Sequence, residues 1–245
     1  MNKFFNYSPN FDLKKRKNSQ INFLIFHYTG MKKEIDAINR LTSEKSKVSS
    51  HYFIKNNGDI VVLVPDRFIA WHAGKSYWKN FKFLNKNSIG IEISNPGHQF
   101  GYKIFSKKQI KSILKLTKFL MSKYKIQAKN ILGHSDIAPN RKKDPGEKFP
   151  WKLIAKKKMS IWHELSKKNL RKKRLKKVNS QTERIFYLNL FEIGYVIKNS
   201  TKFKNKKNSA LLVAAFQRRF RPELINGKVD EECFLISENI TTKHY

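Results

Sequence analysis

The sequence has 245 residues, 40% of them hydrophobic and 29% charged, so the chain is long enough to bury a core without disulfide bonds. Its 52 basic and 18 acidic residues give a net charge of +34, which favours polyanionic partners such as nucleic acid, an anionic cell wall or acidic membranes. The apolar runs, including residues 60–65 and 211–216, are too short to cross a bilayer, so we expect no transmembrane segment.

The N-terminal residues and the single cysteine bear on the compartment. No apolar stretch of signal-peptide length precedes the basic residues 14–17, and no early cysteine is present that could carry a lipid. Cys233 cannot form an intramolecular disulfide and is interpreted as a buried structural thiol. The lack of a signal peptide therefore predicts a cytoplasmic protein. A periplasmic or wall-associated location stays open as the alternative. Residues 1–19 are interpreted as an N-terminal extension.

Strand and helix patterns alternate from residue 20 onward. A β-rich run over residues 21–26 is predicted to be a strand that enters a loop at His27, and residues 35–41 have helical spacing. Residues 51–55 and 60–64 are predicted to form a hairpin, because an Asn-Asn-Gly-Asp turn separates them.

The next segments continue the alternation. Residues 88–94 place three isoleucines on one strand face and Glu92 on the other. Ser106 and Gln109 have the spacing of a capping box ahead of a helix that extends to residue 124. A short strand over residues 130–132 is then predicted to enter a long irregular loop. Interleaved strands and helices predict an α/β domain over residues 20–165.

A basic run separates this domain from the C-terminal part. Residues 167–177 are almost purely basic and self-repelling, which is typical of a solvated linker or a helix extension. We therefore predict a linker over residues 166–181. Beyond it, three short helices are predicted within a compact helical module over residues 182–245, and they are expected at residues 185–193, 209–220 and 230–240.

Two histidines and an aspartate have the residue types of a catalytic zinc site. His27 lies at a strand end, His134 follows the later strand, and Asp144 comes ten residues after His134. Two imidazoles and one carboxylate leave a fourth tetrahedral position open for water, as a catalytic zinc ion requires. The alternative is that the histidines are structural and that Asp144, which precedes Pro-Gly, is a turn residue.

Two further residues have the chemistry that amide hydrolysis would need beside such a metal. Glu92 is a candidate general base that accepts a proton and returns it to the leaving amine. Lys142 is expected on the same side as Asp144, where it could stabilise a developing oxyanion. Glu92 as a solvent-facing strand residue and Lys142 as a surface lysine are the alternatives.

Short motifs follow one another in the order of a known enzyme family, at residues 27–29, 50–52, 70–74, 87–92, 133–139 and 141–146. They resemble the type-2 zinc N-acetylmuramoyl-L-alanine amidases, which are related to peptidoglycan recognition proteins and to the amidase-type phage lysozymes. The resemblance covers about residues 20–155. It implies a mixed β-sheet flanked by helices, with the metal in an open groove.

The resemblance also implies roles for individual residues. It implies zinc ligation by His27, His134 and Asp144, one zinc ion per chain, with Glu92 as the catalytic carboxylate and Lys142 as the polarising cation. Trp71 and His72 match a stretch that lines the groove and are the candidate substrate-binding residues.

The expected activity is hydrolysis of the amide between N-acetylmuramic acid and L-alanine in peptidoglycan or muropeptides. The second module resembles a three-helix peptidoglycan-binding domain, so residues 182–245 are expected to add wall affinity, and a chain ending near Ser166 is expected to cleave small muropeptides at nearly full rate. The alternative function is a non-catalytic peptidoglycan recognition module. No specific nucleic-acid partner is expected, because no basic patch forms a recognised nucleic-acid motif.

Overall fold

A six-stranded mixed sheet lies at the centre of the computed structural model, which describes residues 3–195 and 206–245. Its strands, in chain order, are β1 (Lys3–Phe5), β3 (Phe23–Tyr28), β4 (Tyr52–Ile54), β5 (Ile60–Val62), β9 (Ser88–Ile93) and β10 (Ile131–Gly133). Two small antiparallel sheets pair β2 (Phe11–Asp12) with β6 (Ile69–Ala70) and β7 (Tyr77–Trp78) with β8 (Phe81–Lys82).

Helices surround this sheet and make up most of the C-terminal part. Within the described residues they are α1 (Glu34–Thr42), α2 (Lys107–Tyr124), α3 (His134–Ile137), α4 (Trp151–Lys156), α5 (Lys167–Lys173), α6 (Ser180–Ile193), α7 (Lys206–Phe220) and α8 (Glu231–His244). None of the helices in this part of the chain is long and apolar enough to span a membrane. The predicted α/β fold with a mixed sheet flanked by helices is confirmed.

The strand order in the central sheet is β1-β5-β4-β9-β3-β10. Strands β4, β9, β3 and β10 are mutually parallel, whereas β5 runs antiparallel to β4 and forms the predicted hairpin with it. The carboxyl ends of the four parallel strands therefore meet at one edge of the sheet, and residues at these ends are brought close together.

Packing of helix α2 on the sheet follows from the alternation in β9. The three isoleucines Ile89, Ile91 and Ile93 are fully buried, and they share one hydrophobic cluster with Ile113 and Leu116 of the helix. The predicted capping box at the start of α2 is present, because the Ser106 side chain accepts from the Gln109 amide and the Gln109 side chain accepts in return. The buried face of β9 leaves Glu92 on the opposite face, as predicted.

One short helix stands where an irregular loop was expected. Helix α3 begins at His134, directly after β10, and Asp136 accepts a hydrogen bond from the Gly133 amide at 2.8 Å. Four residues make about one helical turn, which is too short to leave a periodic pattern in the sequence. The local Asp136 contact, rather than an amphipathic face, defines this turn.

The N-terminal residues are part of the fold from residue 3 onward. Strand β1 pairs in parallel with β5 at the edge of the sheet. Arg16 is 3% exposed, and its guanidinium donates to the backbone carbonyls of Asp66 and Asn85 and contacts His51 Nε2 at 2.9 Å. This segment thus fills space beside the sheet. This burial was not predictable, because Arg16 stands in a run of basic residues that resembles a solvated one.

The three predicted C-terminal helices are present as α6, α7 and α8, and they pack against the α/β part. One hydrophobic cluster contains Phe23 and Leu132 from the sheet together with Phe186, Phe216 and Ile236 from the helices. The basic run forms helix α5, in which Leu170 is buried. The helices therefore complete a shared core. The division into a linker over residues 166–181 and a helical module over residues 182–245 stays a prediction.

A buried ion pair joins the two parts beside helix α3. Asp136 Oδ2 accepts from Arg219 Nη1 at 2.6 Å, and Asp136 Oδ1 accepts from the Tyr195 hydroxyl at 2.8 Å. Arg219 also donates to the Ile131 carbonyl and to Ser160 Oγ. Because Asp136 and Arg219 are 1% and 2% exposed, removal of one partner leaves the other charge buried and unpaired.

Arg219→Met is expected to lower the free energy of unfolding by about 3–5 kcal/mol, the usual cost of breaking a buried ion pair from one side. Urea denaturation measures this loss. The control is Arg184→Met on the exposed face of α6, which should change stability by less than about 0.5 kcal/mol. A loss below about 1 kcal/mol for Arg219→Met would show that the pair does not hold the two parts together.

The same contacts change the expectation for a chain ending near Ser166. Such a chain would expose the sheet side of the shared cluster and leave Asp136 without Arg219 and Tyr195. Since Asp136 lies two residues from His134, we now expect the shortened chain to be destabilised and to lose activity on every substrate, small muropeptides included. Melting curves of the shortened and full-length chains, recorded together, measure this difference.

Candidate metal and active site

The sheet topology places the three predicted metal ligands at one edge. His27 lies near the carboxyl end of β3, where it pairs in register with Glu92 of the parallel strand β9. His134 follows β10, the other neighbour of β3, and Asp144 lies in the loop after α3. Ser135 donates its amide to the Asp144 carbonyl at 2.8 Å, which fixes this loop against α3.

The three side chains converge through single atoms. His27 Nδ1 lies 2.9 Å from His134 Nδ1 and 2.9 Å from Asp144 Oδ2, and His134 Nδ1 lies 3.0 Å from the same oxygen. All three residues are buried, with exposures of 1%, 3% and 6%. The cluster predicted from residue types and spacing is thus brought together, and it is one that could hold a metal ion.

The second ring nitrogen of each histidine has a partner that fixes the tautomer. His134 Nε2 lies 3.1 Å from the Ala73 carbonyl, an acceptor, and 3.4 Å from Arg141 Nη2, a donor; the shorter contact assigns the proton to this nitrogen. His27 Nε2 lies 3.0 Å from His72 Nδ1, and His72 Nε2 lies 3.2 Å from Ser88 Oγ. The Ser88 hydroxyl donates to the Leu84 carbonyl at 2.6 Å, so it accepts from His72 Nε2.

This chain of hydrogen bonds determines which nitrogen of His27 faces the cluster as a lone pair. With the proton of neutral His72 on Nε2, its Nδ1 accepts the proton that His27 carries on Nε2. His27 Nδ1 is then unprotonated, as is His134 Nδ1. Two lone pairs and a carboxylate oxygen point at one another within 3.0 Å, an arrangement that a bound cation stabilises.

Electrostatics favour the ligand forms of these groups. Burial, together with the nearby His134, lowers the pKa of His27 to about 4, so the imidazole is neutral at physiological pH. Burial opposes ionisation of Asp144, but the neighbouring His134 and His27 hold its pKa well below the ordinary value. A neutral His27 imidazole and an ionised Asp144 carboxylate are the forms that bind a divalent transition metal, and zinc is a metal that sets of histidine and carboxylate donors bind.

Glu92 lies beside the cluster on the wall of a groove. Its Oε2 atom is buried and has no hydrogen-bond partner within the part of the chain that the structure describes. Burial, followed by the charge of Asp144, raises the pKa of Glu92 to about 8, against the opposing effect of Lys142. A carboxyl group with such a pKa changes protonation near neutral pH, which is the property of a general acid and base.

The cluster opens into a groove with a volume of about 570 Å³, and the structure places every predicted site residue on its wall. Lys142 is half-buried on the loop next to Asp144. Trp71 is also half-buried, and its indole Nε1 donates to Asp12 Oδ1 at 2.7 Å. His72 lies behind His27 with both ring nitrogens engaged, so it contacts a ligand-forming residue rather than pointing freely into the groove.

Gly90 makes room for His72 on strand β9. A Cβ atom at position 90 would lie 2.4 Å from His72 Cγ, so any larger residue would displace the imidazole from His27. The glycine beside Glu92 is therefore explained by the close approach of a ring rather than by a turn.

Several residues that line the groove or lie behind it were not predicted from the sequence. Ser88 fixes His72, and Arg141 donates to the carbonyl of Ala73 that also accepts from His134. His98 lines the groove between the Tyr28 hydroxyl and a carboxylate oxygen of Glu147. Ser88 and Arg141 lie inside the motifs that carry the family resemblance, which was the available signal.

The fold is that of a known amidase family. Residues 17–147 match the family described as N-acetylmuramoyl-L-alanine amidase (Amidase_2), and the chain belongs to this family. The family resemblance noted from the motifs is thereby confirmed, as is the assignment of the chain as an amidase.

Two relatives illustrate how far the similarity extends. The N-acetylmuramoyl-L-alanine amidase AmiD of Escherichia coli is 34% identical over 238 residues, which are 92% of this chain and 84% of AmiD. The 1,6-anhydro-N-acetylmuramyl-L-alanine amidase AmpD of E. coli is 39% identical over 105 residues, which are 43% of this chain and 55% of AmpD. The similarity to AmiD thus continues through the C-terminal helices.

Solved structures give the same picture. The complex of E. coli AmiD with anhydro-N-acetylmuramic acid-L-Ala-D-γ-Glu-L-Lys superposes with a TM-score of 0.79 at 31% identity and covers 92% of this chain and 90% of that one. AMPDH3 of Pseudomonas aeruginosa in complex with anhydromuramic pentapeptide has a TM-score of 0.78 at 29% identity and covers 95% of this chain and 94% of that one.

Proposed function

We propose that this amidase holds one zinc ion through His27, His134 and Asp144 and hydrolyses the amide between N-acetylmuramic acid and L-alanine in peptidoglycan fragments. The observation that carries the proposal is the convergence of three acceptor atoms within 3.0 Å of one another. Both histidine nitrogens in it are left as lone pairs by their partners. The muropeptide ligands named for the AmiD and AMPDH3 complexes support the choice of substrate.

The groove residues would divide the remaining chemistry between them. Zinc, when bound, lowers the pKa of water and polarises a carbonyl group. Glu92, in register with His27, would accept the proton of the attacking water and deliver it to the departing amine nitrogen of L-alanine. The Lys142 ammonium would stabilise negative charge that develops on the scissile carbonyl oxygen. Trp71 would contact the substrate from the groove wall.

The substrate class is tested on intact sacculi and purified muropeptides, with and without an anhydro sugar. We expect the zinc-loaded protein to release a peptide with a free L-alanine amino group, identified by mass. A substrate mass that stays unchanged, or a cut between two stem-peptide residues, would contradict the proposed bond. The same comparison is repeated at several salt concentrations. It tests whether the charge of +34 draws the enzyme to the anionic wall, because added salt weakens that attraction.

We also propose that His72 is a positioning residue for His27 rather than a substrate contact. His72→Leu removes the acceptor of the His27 Nε2 proton, so His27 loses its fixed tautomer and orientation. The expected result is zinc binding weakened by about 10–100-fold. Competition with a chromogenic chelator measures the affinity without reference to activity.

Two variants serve as comparisons for His72→Leu. Ser88→Ala removes only the acceptor at the far end of the chain of hydrogen bonds, and it should weaken zinc binding by a smaller factor. Trp71→Phe alters the groove wall and should leave zinc affinity unchanged. Unchanged zinc affinity in His72→Leu, together with a raised KM for muropeptide, would contradict the positioning role. It would support the substrate-binding role predicted from the sequence.

A further inference from the structure

Strand β1 carries exposed aromatic side chains at one edge of the central sheet. It is the last strand in the sheet order, so within the described residues its outer edge pairs with no other strand. Phe5 and Tyr7 are 64% and 57% exposed, and their ring centroids lie 5.9 Å apart. Sheet edges of soluble proteins are usually protected by charged side chains or by a covering segment, so two exposed aromatic rings at an edge call for an explanation.

The register of β1 places Phe5 on the face of the sheet that carries helix α2. Phe5 pairs with Val62 of β5, and residues in register on neighbouring strands point to the same face. Val62 shares a hydrophobic cluster with Ile113 and Leu116 of α2. Phe5 and the adjacent Tyr7 ring therefore lie on the α2 side of the sheet.

Helix α2 extends this aromatic surface through Phe119. Phe119 is exposed, and Lys123, one helical turn later, places its Nζ atom 5.7 Å from the centroid of the Phe119 ring. Lys123 Nζ also lies 2.9 Å from Asp66 Oδ2, shortly beyond the end of β5. Because β5 is the strand that pairs with β1, this flank of α2 faces the edge where Phe5 and Tyr7 lie.

The solvent-facing side of α2 is basic along its whole length. Its 18 residues include six lysines and no acidic residue, and all six lysines are exposed. Lys111, Lys115 and Lys118 recur at helical spacing, opposite the buried residues that pack on the sheet. Among the described residues, Lys123 is the one lysine of α2 that forms an ion pair. The helix thus presents uncompensated positive charge beside the exposed aromatic rings.

We propose that this surface docks on an anionic lipid bilayer. We call it the edge patch and define it by Phe5, Tyr7, Phe119, Lys111, Lys115 and Lys118. The aromatic rings would enter the boundary between headgroups and acyl chains, and the lysines would contact anionic headgroups. The net charge of +34 attracts the chain to such a surface.

The combination of aromatic rings and lysines favours a bilayer over a soluble polyanion. A polyanion in solution would attract the lysines, but a bilayer also offers an apolar layer behind its negative charge. No helix in the described part of the chain is suited to span a membrane, so the docking would be peripheral. The edge patch shares no residue with the groove, and the proposal therefore does not depend on the amidase chemistry.

Cosedimentation of the full-length chain with lipid vesicles measures the docking. We expect saturable binding to vesicles of phosphatidylglycerol and phosphatidylcholine, and binding weaker by about tenfold or more to phosphatidylcholine alone. Replacing both aromatic residues, Phe5→Ser with Tyr7→Ser, should weaken binding to the anionic vesicles by about tenfold or more.

The matched control for the aromatic variant lies on the opposite side of the sheet. Leu188 and Phe191 are exposed apolar residues of α6, and Phe191 is 58% exposed. Helix α6 packs in the cluster of Phe23, on the face of the sheet opposite α2. Leu188→Ser with Phe191→Ser should leave vesicle binding unchanged.

A lysine variant tests the charged part of the edge patch. Lys111→Gln with Lys115→Gln removes two charges and should weaken binding to anionic vesicles by about tenfold. Lys168→Gln with Lys172→Gln makes the same change at the same spacing on α5, outside the edge patch. This control should keep binding within about twofold of wild type.

A fluorescent label distinguishes insertion into a bilayer from attraction by charge alone. Phe5→Cys is labelled with the polarity-sensitive dye NBD, while the native Cys233 is buried and should stay unlabelled. We expect the emission to rise and shift to the blue with anionic vesicles, and to stay unchanged with double-stranded DNA. The same label on Phe191→Cys should respond to neither.

Four results would overturn the proposal. They are the lack of saturable binding of the wild-type chain to anionic vesicles, wild-type binding by the Phe5 and Tyr7 variant, an equal loss in the α6 control, and an NBD response to DNA as large as that to vesicles. The last result would assign the edge patch to nucleic acid. Melting curves show whether each variant is folded, and if the double aromatic variant is not, the NBD label and the lysine variant decide. Turnover is measured separately, so failure of the proposed amidase chemistry remains distinguishable.

Discussion

His134→Ala is expected to abolish both zinc retention and amide hydrolysis. The substitution removes one of three ligand atoms that lie within 3.0 Å of one another, so His27 and Asp144 alone would have to hold the ion. Two protein ligands are fewer than the three that catalytic zinc sites use. Without the metal, neither the activation of water nor the polarisation of the carbonyl is available.

Zinc content per chain after dialysis and turnover on a purified muropeptide measure the two losses. His244→Asn, at the end of α8 and remote from the groove, is the control and should keep both properties. Melting curves separate loss of the ion from loss of the fold, since His134 Nε2 also donates to the Ala73 carbonyl. Stoichiometric zinc with normal turnover in His134→Ala would refute the ligand assignment.

The position of His134 depends on distant parts of the chain. Helix α3, which begins at His134, is held by Asp136, and Asp136 accepts from Tyr195 and Arg219 of the C-terminal part. These partners are 59 and 83 residues away in sequence. The C-terminal part therefore supports the position of the candidate ligand His134 through Asp136.

Local patterns explain why much of the fold was predictable. The alternation of isoleucines defined β9 and the orientation of Glu92, and the Ser106 and Gln109 pair defined the start of α2. The approach of His27 to His134 follows from their positions at strand ends, because the ends of parallel strands meet at one edge of the sheet. For β9 and α2, the information lies within a few residues of the feature.

Features that depend on contacts between distant segments were not predictable. An amphipathic α7 indicates that one face is buried, but nothing in its spacing says that Arg219 meets Asp136. The positioning role that we propose for His72 depends on hydrogen bonds from Leu84 through Ser88, and these form only in the folded chain. Arg16, one of 52 basic residues, gave no sign that it would be buried.

Glu92→Gln is expected to leave zinc binding intact and to lower kcat by a factor of about 10²–10⁴, the usual contribution of a general base. The amide has the shape of the carboxylate but accepts no proton from water. Because Glu92 Oε2 has no hydrogen-bond partner in the described residues, the substitution breaks no internal contact at that atom. The fold should therefore be unaffected, and the loss can be attributed to proton transfer.

Turnover on a purified muropeptide, zinc content and melting temperature are measured together on this variant. Glu183→Gln, an equivalent change on the exposed surface of α6, should match the wild-type chain in all three. Intact zinc with lost turnover would place Glu92 in the reaction, because a purely structural residue would change melting before it changed chemistry. If turnover stays within a few-fold of wild type, Glu92 is only a strand residue and the base lies elsewhere on the groove wall.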